Sequence, residues 1–282
     1  MKCALALVSR EVFGGEEMAG RGRGRAAFPE VRHQLRRPKE EPEDAAGPGG
    51  DAKPDENKQP PPSSPTSPAP AKQEKEIKGL CSQFKYLQAS DSNFDKAVSA
   101  ITEKLKTPSD IDDVVNAMYE ICLLGPDQAE GTCHAMTQLS HVEIGGCKLR
   151  NKVLTRMEQE FEEFEGKAES SPQAFLSNTI FLCEFYTRYL LQGKPVNPLR
   201  EPVWRYLEYM LGSRKPFFLN QCFRLVQSKV GFFVKHNRPE LEGNFLTKLR
   251  EVILDEKVPK THRSSALETL ELILKELTRN AS

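Results

Sequence analysis

Apolar residues recur at helical spacing (i, i+3 or i+4, i+7) from about residue 78 to the end of the chain. Proline or glycine interrupts this pattern at short intervals, as at Thr107-Pro108 and Gly125-Pro126. The first complete example contains Phe94, Ala97, Val98, Ile101 and Leu105. No stretch alternates in the manner of a strand, so the pattern predicts an all-α fold.

Proline, glycine and capping residues divide this region into about nine helices. The segments with the clearest limits are 126–139, 147–164, 172–191 and 261–279. Ser109 is predicted to cap the helix before 126, and helix 172–191 is apolar on most faces and should be central. The last segment carries Ala266, Leu267, Leu270, Ile273, Leu274 and Leu277 as predicted apolar positions. Stacking of antiparallel helices buries such stripes most simply, which predicts a HEAT-like α-solenoid of about nine to ten helices.

Residues 1–77 have a different composition and are predicted to be a disordered tail before a helical-repeat domain at 78–282, with its core at 93–279. Prolines are dense between Pro60 and Pro70, and large apolar residues are almost absent after Leu35. Arg21, Arg23 and Arg25 form an Arg-Gly arm that could contact RNA loosely. A solvated low-complexity segment with no dedicated ligand is the alternative.

Charge and cysteine usage narrow the class of protein. The chain has 40 basic and 40 acidic side chains, so no overall basic field favours nucleic acid. Its seven cysteines are widely spaced and contain no C-x-x-C, which indicates neither a disulfide framework nor a zinc site. We therefore expect a reduced intracellular protein, located in the cytoplasm with the nucleus as a second compartment.

The first eight residues resemble the start of a signal peptide, but Ser9-Arg10-Glu11 ends the apolar run too early for one. No stretch approaches the roughly 20 apolar residues of a membrane span. The sequence therefore predicts neither secretion nor a membrane partner.

Motifs of catalysis are absent from the region predicted to fold. It contains no phosphate-binding glycine loop, and the five histidines are scattered. Cys133 stands next to His134, an adjacency that is more often accidental than a catalytic pair. We expect no enzyme, no cofactor and no metal site.

Four cations lie close together where the helix predicted at 147–164 begins: Lys148, Arg150, Lys152 and Arg156. Three of them, at i, i+4 and i+8, share one face, and positive charge is unfavourable near a helix N-terminus. One interpretation is a patch that binds a partner or RNA phosphates. The other is a solvent-exposed face paired with carboxylates. On the first interpretation, replacing Lys148, Lys152 and Arg156 by Glu should abolish binding and leave thermal stability nearly unchanged.

The loop around Arg214, Lys215 and Phe217 combines two cations with aromatic side chains between two predicted helices. Arginine and exposed aromatics are typical of interaction hot spots. The alternative is that the charges solvate the loop while Phe218 packs in the core.

Four stretches carry a resemblance to a known family: Leu149–Phe161, Phe181–Leu190, Val196–Trp204 and Ala266–Leu274. Together they resemble the middle domain of eukaryotic initiation factor 4G, a HEAT-type module. They are most similar to its small single-domain relatives, such as the poly(A)-binding-protein-interacting and stem-loop-binding-protein-interacting proteins. The likeness extends from about Phe94 to Leu277 and consists of a helix pattern with scattered identities.

The resemblance implies a non-enzymatic adaptor or scaffold in mRNA translation or mRNA metabolism. Its expected partners are messenger-bound proteins together with translation initiation factors or a DEAD-box RNA helicase. Direct RNA binding by a helical-repeat module through the basic patch is the alternative function.

Overall fold

The computed structural model describes residues 70–280, and within that range the chain is helical apart from short turns and two small hairpins. The all-α prediction is confirmed. The HEAT-like arrangement of repeats stays a prediction. Arg21, Arg23 and Arg25 lie outside the described residues.

The helices follow one another along the chain with short connections. They are α1 Pro70–Cys81, α2 Phe94–Lys104, α3 Pro108–Cys122, α4 Pro126–Leu139, α5 Leu149–Glu162, α6 Phe164–Ser170, α7 Pro172–Arg188, α8 Arg200–Ser213, α9 Pro216–His236, α10 Arg238–Glu240, α11 Leu246–Leu254 and α12 Lys260–Arg279. 3₁₀ turns occupy Ser82–Lys85 and Asn197–Leu199, and a π turn at Leu241–Phe245 joins α10 to α11. The hairpins are β1 Glu143–Ile144 with β2 Cys147–Lys148, and β3 Leu190–Leu191 with β4 Lys194–Pro195.

Helix α1 begins at Pro70, so residue 78, the predicted start of the folded domain, lies inside this helix. Ile77, Cys81 and Phe84 are buried, and α1 packs against α2 and α3. Only about one apolar residue per turn of α1 is buried. The apolar pattern was therefore too sparse to separate this helix from the proline-rich sequence before it.

Helix α3 is capped by Thr107, whereas the sequence indicated Ser109. Pro108 occupies the first helical position, which leaves the preceding residue as the cap. The Thr107 hydroxyl accepts a hydrogen bond from the Asp110 backbone N–H, and the Asp110 carboxylate accepts from the Thr107 N–H at 2.7 Å. Gln73 also donates to Asp110 at 2.8 Å, so this buried carboxylate ties α1 to the start of α3.

The segment predicted as a single helix over 147–164 has three parts. Cys147–Lys148 pairs with Glu143–Ile144 across a two-residue turn, and Gly145 and Gly146 have the positive φ angles that a type I′ turn requires. Helix α5 starts after this hairpin, and a break at Glu163 separates it from α6.

Helices α4, α7, α9 and α12 pack successively against one another, and α3, α8 and α11 contact members of this row. Every residue of α7 from Phe175 to Tyr186 is buried, which confirms its predicted central position. Asn178 on this helix donates to the Tyr206 hydroxyl at 2.8 Å and accepts from the Tyr119 hydroxyl at 3.3 Å. A buried polar bridge therefore joins α3, α7 and α8.

Helix α12 differs from the predicted apolar face. Ala266, Ile273 and Leu277 are buried, whereas Leu267 and Leu274 are exposed by 45% and 43%. The helix packs mainly on α9 and α11, so one side of its apolar stripe extends beyond the surface that those two helices cover.

Candidate interaction surfaces

Lys148 and Lys152 of the predicted basic patch both lie opposite carboxylates. The Lys148 ammonium is 3.5 Å from Glu143, and the Lys152 ammonium is 2.9 Å from Asp112 on α3. The hydrogen bond to Asp112 raises the pKa of Lys152. These pairs are one third to one half exposed, so each contributes only tenths of a kcal/mol to about 1 kcal/mol.

Arg156 is partly buried, with 34% of its side chain exposed. Its guanidinium donates to Glu160 at 2.8 Å and lies 5.4 Å from the centre of the Tyr119 ring. Glu160 is 3% exposed and also accepts from Lys167 at 2.5 Å, while Lys167 contacts the exposed Glu163 at 3.0 Å. Replacing Arg156 by Glu would place two carboxylates together in a buried site. Because one of the two cations that pair with the buried Glu160 would be lost, we expect this change to lower stability, contrary to the expectation from the sequence.

Arg150 is the remaining member of the basic patch. Its guanidinium makes no hydrogen bond or ion pair with the other residues of the described range, and its Nε is buried without an acceptor. Of the four cations, Arg150 is thus the one that has no charged partner among residues 70–280, so its charge is available to a ligand.

The three residues of the predicted loop site have separate roles. Arg214 ends α8 with a positive φ of 56°, donates to the Leu211 carbonyl and lies 3.1 Å from Glu251 on α11. Lys215 places its ammonium 5.5 Å from the centre of the Phe218 ring. Phe217 packs on Phe218 at 4.2 Å between ring centres and remains 42% exposed. The contacts with Leu211 and Glu251 therefore hold Arg214 in place. Phe217 is the exposed aromatic residue of the three.

A second buried ion cluster connects the central helices, and nothing in the sequence indicated it. Glu184 on α7 is 6% exposed and accepts from Lys229 on α9 at 2.6 Å and from Arg188 at 2.8 Å. Arg188 also lies 3.7 Å from Glu130 on α4. Burial favours a raised pKa for Glu184, but the hydrogen bonds and charges of Lys229 and Arg188 outweigh it and the pKa is lowered.

Glu184, Arg188 and Lys229 line part of a groove, which we call the central groove. It comprises cavities of about 360, 220 and 500 Å³ that share Arg224 as a lining residue. The first includes Gln88, Asp127 and Glu130, and the third includes Glu268 on α12. Loop 86–93 and helices α4, α7, α9 and α12 contribute to it.

Arg224 is exposed at the centre of this groove. It makes no hydrogen bond or ion pair with another residue of the described part of the chain. Its neighbours come from five separate elements, so no local motif could have identified the groove from the sequence.

Within residues 70–280 no three or more His, Cys, Asp or Glu side chains come together as metal ligands. None of the helices in that range combines the length and apolar character needed to cross a bilayer. No protein-family model matches the chain, and a search of curated proteins finds no match either.

Proposed function

We propose that this chain is a non-enzymatic adaptor in mRNA translation or mRNA metabolism. It bridges messenger-bound proteins to translation initiation factors or a DEAD-box RNA helicase. The observation that carries the proposal is the resemblance to the middle domain of eukaryotic initiation factor 4G in four stretches of an all-α fold.

The positions of these stretches are compatible with that resemblance. Leu149–Phe161 lies on α5, Phe181–Leu190 covers the end of the central helix α7, and Ala266–Leu274 lies on the last helix. Val196–Trp204 enters α8 with Trp204 packed on Phe233 and Phe245. The apolar positions of these stretches lie mostly in the core, which leaves loops and outward helix faces for partners.

Phe217 is the anchor that we assign to protein docking. An aromatic ring exposed by 42% beside a cation offers apolar area at low entropic cost, as interaction hot spots do. Phe218 beside it is fully buried and fixes the first turn of α9, on which Phe217 lies.

The test is binding of the full chain to the helicase eukaryotic initiation factor 4A at low and high salt. Binding that persists at high salt and weakens about tenfold in Phe217→Ala supports an adaptor, since about 1.4 kcal/mol at an anchor is a factor of ten. Phe232→Ala is the control, because Phe232 is a partly buried aromatic on the same helix away from the loop. Absence of helicase binding at either salt contradicts this partner.

Arg150 favours a second candidate function, direct RNA binding by the helical domain. Its guanidinium offers one unpaired cation to a phosphate backbone, and Lys148, whose pair with Glu143 is long at 3.5 Å and partly exposed, is the second cation of the proposed contact. Binding of this kind falls steeply with salt, by roughly 0.7 log units per log unit of salt for each phosphate contact on a single strand.

The matched experiment uses a short single-stranded RNA and the double variant Lys148→Glu, Arg150→Glu. The control carries the same charge change at Lys257, in the turn before α12, and at Lys260, the first residue of α12, both of which are exposed. Loss of RNA affinity in the first variant alone supports the RNA-binding function. Equal affinity in both variants excludes the patch as the contact.

A further inference from the structure

The central groove presents exposed charges of both signs, and the cavities that it comprises give their order. Asp127 and Glu130 line the first cavity together with Arg224, and Glu268 lines the third cavity together with Arg224. Arg224 therefore lies between carboxylates. Asp127, Arg224 and Glu268 are exposed, and none of them forms an ion pair with another residue in the range 70–280. These three charges are available to a ligand.

The second cavity contributes charges that already neutralise one another. Glu184 pairs with Lys229 at 2.6 Å and with Arg188 at 2.8 Å, and all three residues line this cavity. Arg188 also lies 3.7 Å from Glu130. A ligand in the groove therefore meets a neutralised floor, and its charge is recognised by Asp127, Arg224 and Glu268.

This arrangement favours a peptide of mixed charge over a nucleic acid. A nucleic acid carries a negative charge at every phosphate, so its contact with Arg224 would bring further phosphates toward Asp127 and Glu268. Like charges that face each other across an interface oppose binding. A peptide can instead place one acidic side chain at Arg224 and basic side chains to either side. The amides of Asn220 and Gln221, which also line the groove, can donate to and accept from its backbone.

Helix packing gives the spacing of charges that a ligand needs. Arg224 is on α9 and Glu268 is on α12, which packs against α9. The axes of packed helices lie about 8–10 Å apart, and an extended chain advances about 3.3 Å per residue. A basic residue about three positions from the acidic one therefore faces Glu268. Asp127 shares two cavities with Arg224, which predicts a similar separation on the other side.

We propose that the central groove binds an extended segment of a partner protein in which an acidic residue has a basic residue about three positions away on each side. The acidic side chain pairs with Arg224, and the basic side chains pair with Asp127 and Glu268. This site goes beyond the adaptor function, because neither Phe217 nor Arg150 lines the groove. Peptide binding here is independent of helicase binding at Phe217.

Selection of random dodecapeptides displayed on phage, with the full chain as the target, tests the proposal. We expect the enriched peptides to carry Asp or Glu with Lys or Arg about three residues before and after it. Selection on Arg224→Glu should replace the central acidic residue by a basic one, and selection on Glu268→Lys should replace one flanking basic residue by an acidic one. Arg205→Glu is the matched control, an exposed arginine on α8 outside the groove, and should retain the wild-type pattern.

The affinity of a fluorescein-labelled synthetic peptide with the enriched sequence gives a second measurement. Its Kd, followed by fluorescence anisotropy, should rise at least tenfold in Arg224→Glu and change less than twofold in Arg205→Glu. Reversing the charge of the central peptide residue should restore binding to Arg224→Glu, which a misfolded variant could not do.

Three results would overturn the proposal. They are the absence of any enriched peptide, an enriched pattern without these charges, and the same pattern from wild type and Arg224→Glu. Binding of a short single-stranded RNA that Arg224→Glu abolishes would assign the groove to nucleic acid and overturn the proposal as well.

Discussion

Glu160 shows how the burial of one carboxylate determines the roles of the cations around it. Arg156 and Lys167 both donate to it, and the Tyr206 hydroxyl donates to its backbone carbonyl at 3.4 Å. From the sequence, Arg156 was predicted to belong to a basic patch. In the structure Arg156 and Glu160 form an ion cluster with Lys167 between α5 and α6.

Replacing Glu160 by Gln should destabilise the protein by about 2–4 kcal/mol, because two cations lose their shared counter-charge in a buried site. Glu163→Gln is the control, since Glu163 contacts the same Lys167 but is 69% exposed. Its effect should stay within about 0.5 kcal/mol. Chemical denaturation of both variants measures the difference, and equal losses would show that burial does not govern this cluster.

Glu184 makes the stability of the folded state depend on pH. Its pKa is lowered below the usual value of 4.5, because hydrogen bonds and charges from Lys229 and Arg188 outweigh the effect of burial. A carboxyl whose pKa is lower in the folded state stabilises the protein above the unfolded-state pKa. That contribution is lost as the pH falls through the folded-state pKa.

The free energy of unfolding of wild type should therefore drop more steeply than that of Glu184→Gln as the pH is lowered from about 5 to 3. Denaturant titrations at several pH values compare the two proteins. If the difference in unfolding free energy between wild type and Glu184→Gln does not shrink at low pH, the substitution acts through packing and not through charge.

At the scale of the element, α12 shows that apolar periodicity predicts the position of a helix better than it predicts which face of the helix is buried. Ile273 is fully buried and Leu274, beside it, is 43% exposed. Ile273→Ala should cost about 2–5 kcal/mol, because it leaves a cavity in the core, whereas Leu274→Ala should cost less than about 1 kcal/mol. Thermal unfolding of the two variants measures this, and equal losses would mean that another surface covers Leu274 in solution.

Most helices could be predicted from the sequence because their breaks carry strong local signals. Pro108, Pro126, Pro172 and Pro216 each stand at the first position of a helix. Helix α1 was missed because its apolar residues are sparse, and the hairpin before α5 was missed because a two-residue strand has no periodicity to detect.

The interaction surfaces were less predictable for a different reason. The charges of Lys152, Arg156 and Arg214 are visible in the sequence, but Asp112, Glu160 and Glu251 neutralise them through tertiary contacts. Arg224, on the contrary, has no unusual neighbours along the chain. It becomes distinctive only because four helices and a loop form a groove around it.

At the scale of the whole molecule, the buried polar contacts tie the centre together more tightly than the C-terminal end. The Tyr119–Asn178–Tyr206 bridge and the Glu184 cluster cross α3, α4, α7, α8 and α9. Helix α12 packs on α9 and is joined to it by a hydrogen bond from Gln227 to Thr269 at 2.8 Å.

This difference predicts an order of opening. Helix α7 packs on α4, α6, α8 and α9, whereas α12 packs mainly on α9 and α11, so detaching the α11–α12 pair exposes less buried surface than opening the centre. Native-state hydrogen exchange should find the amides of α12 opening at a lower free energy than those of α7. Gln227→Ala should increase hydrogen exchange in α12 and leave exchange in α7 unchanged, since it removes the hydrogen bond from Gln227 to Thr269. If α12 and α7 instead exchange with the same free energy and the same response to denaturant, the described helices unfold as a single cooperative unit.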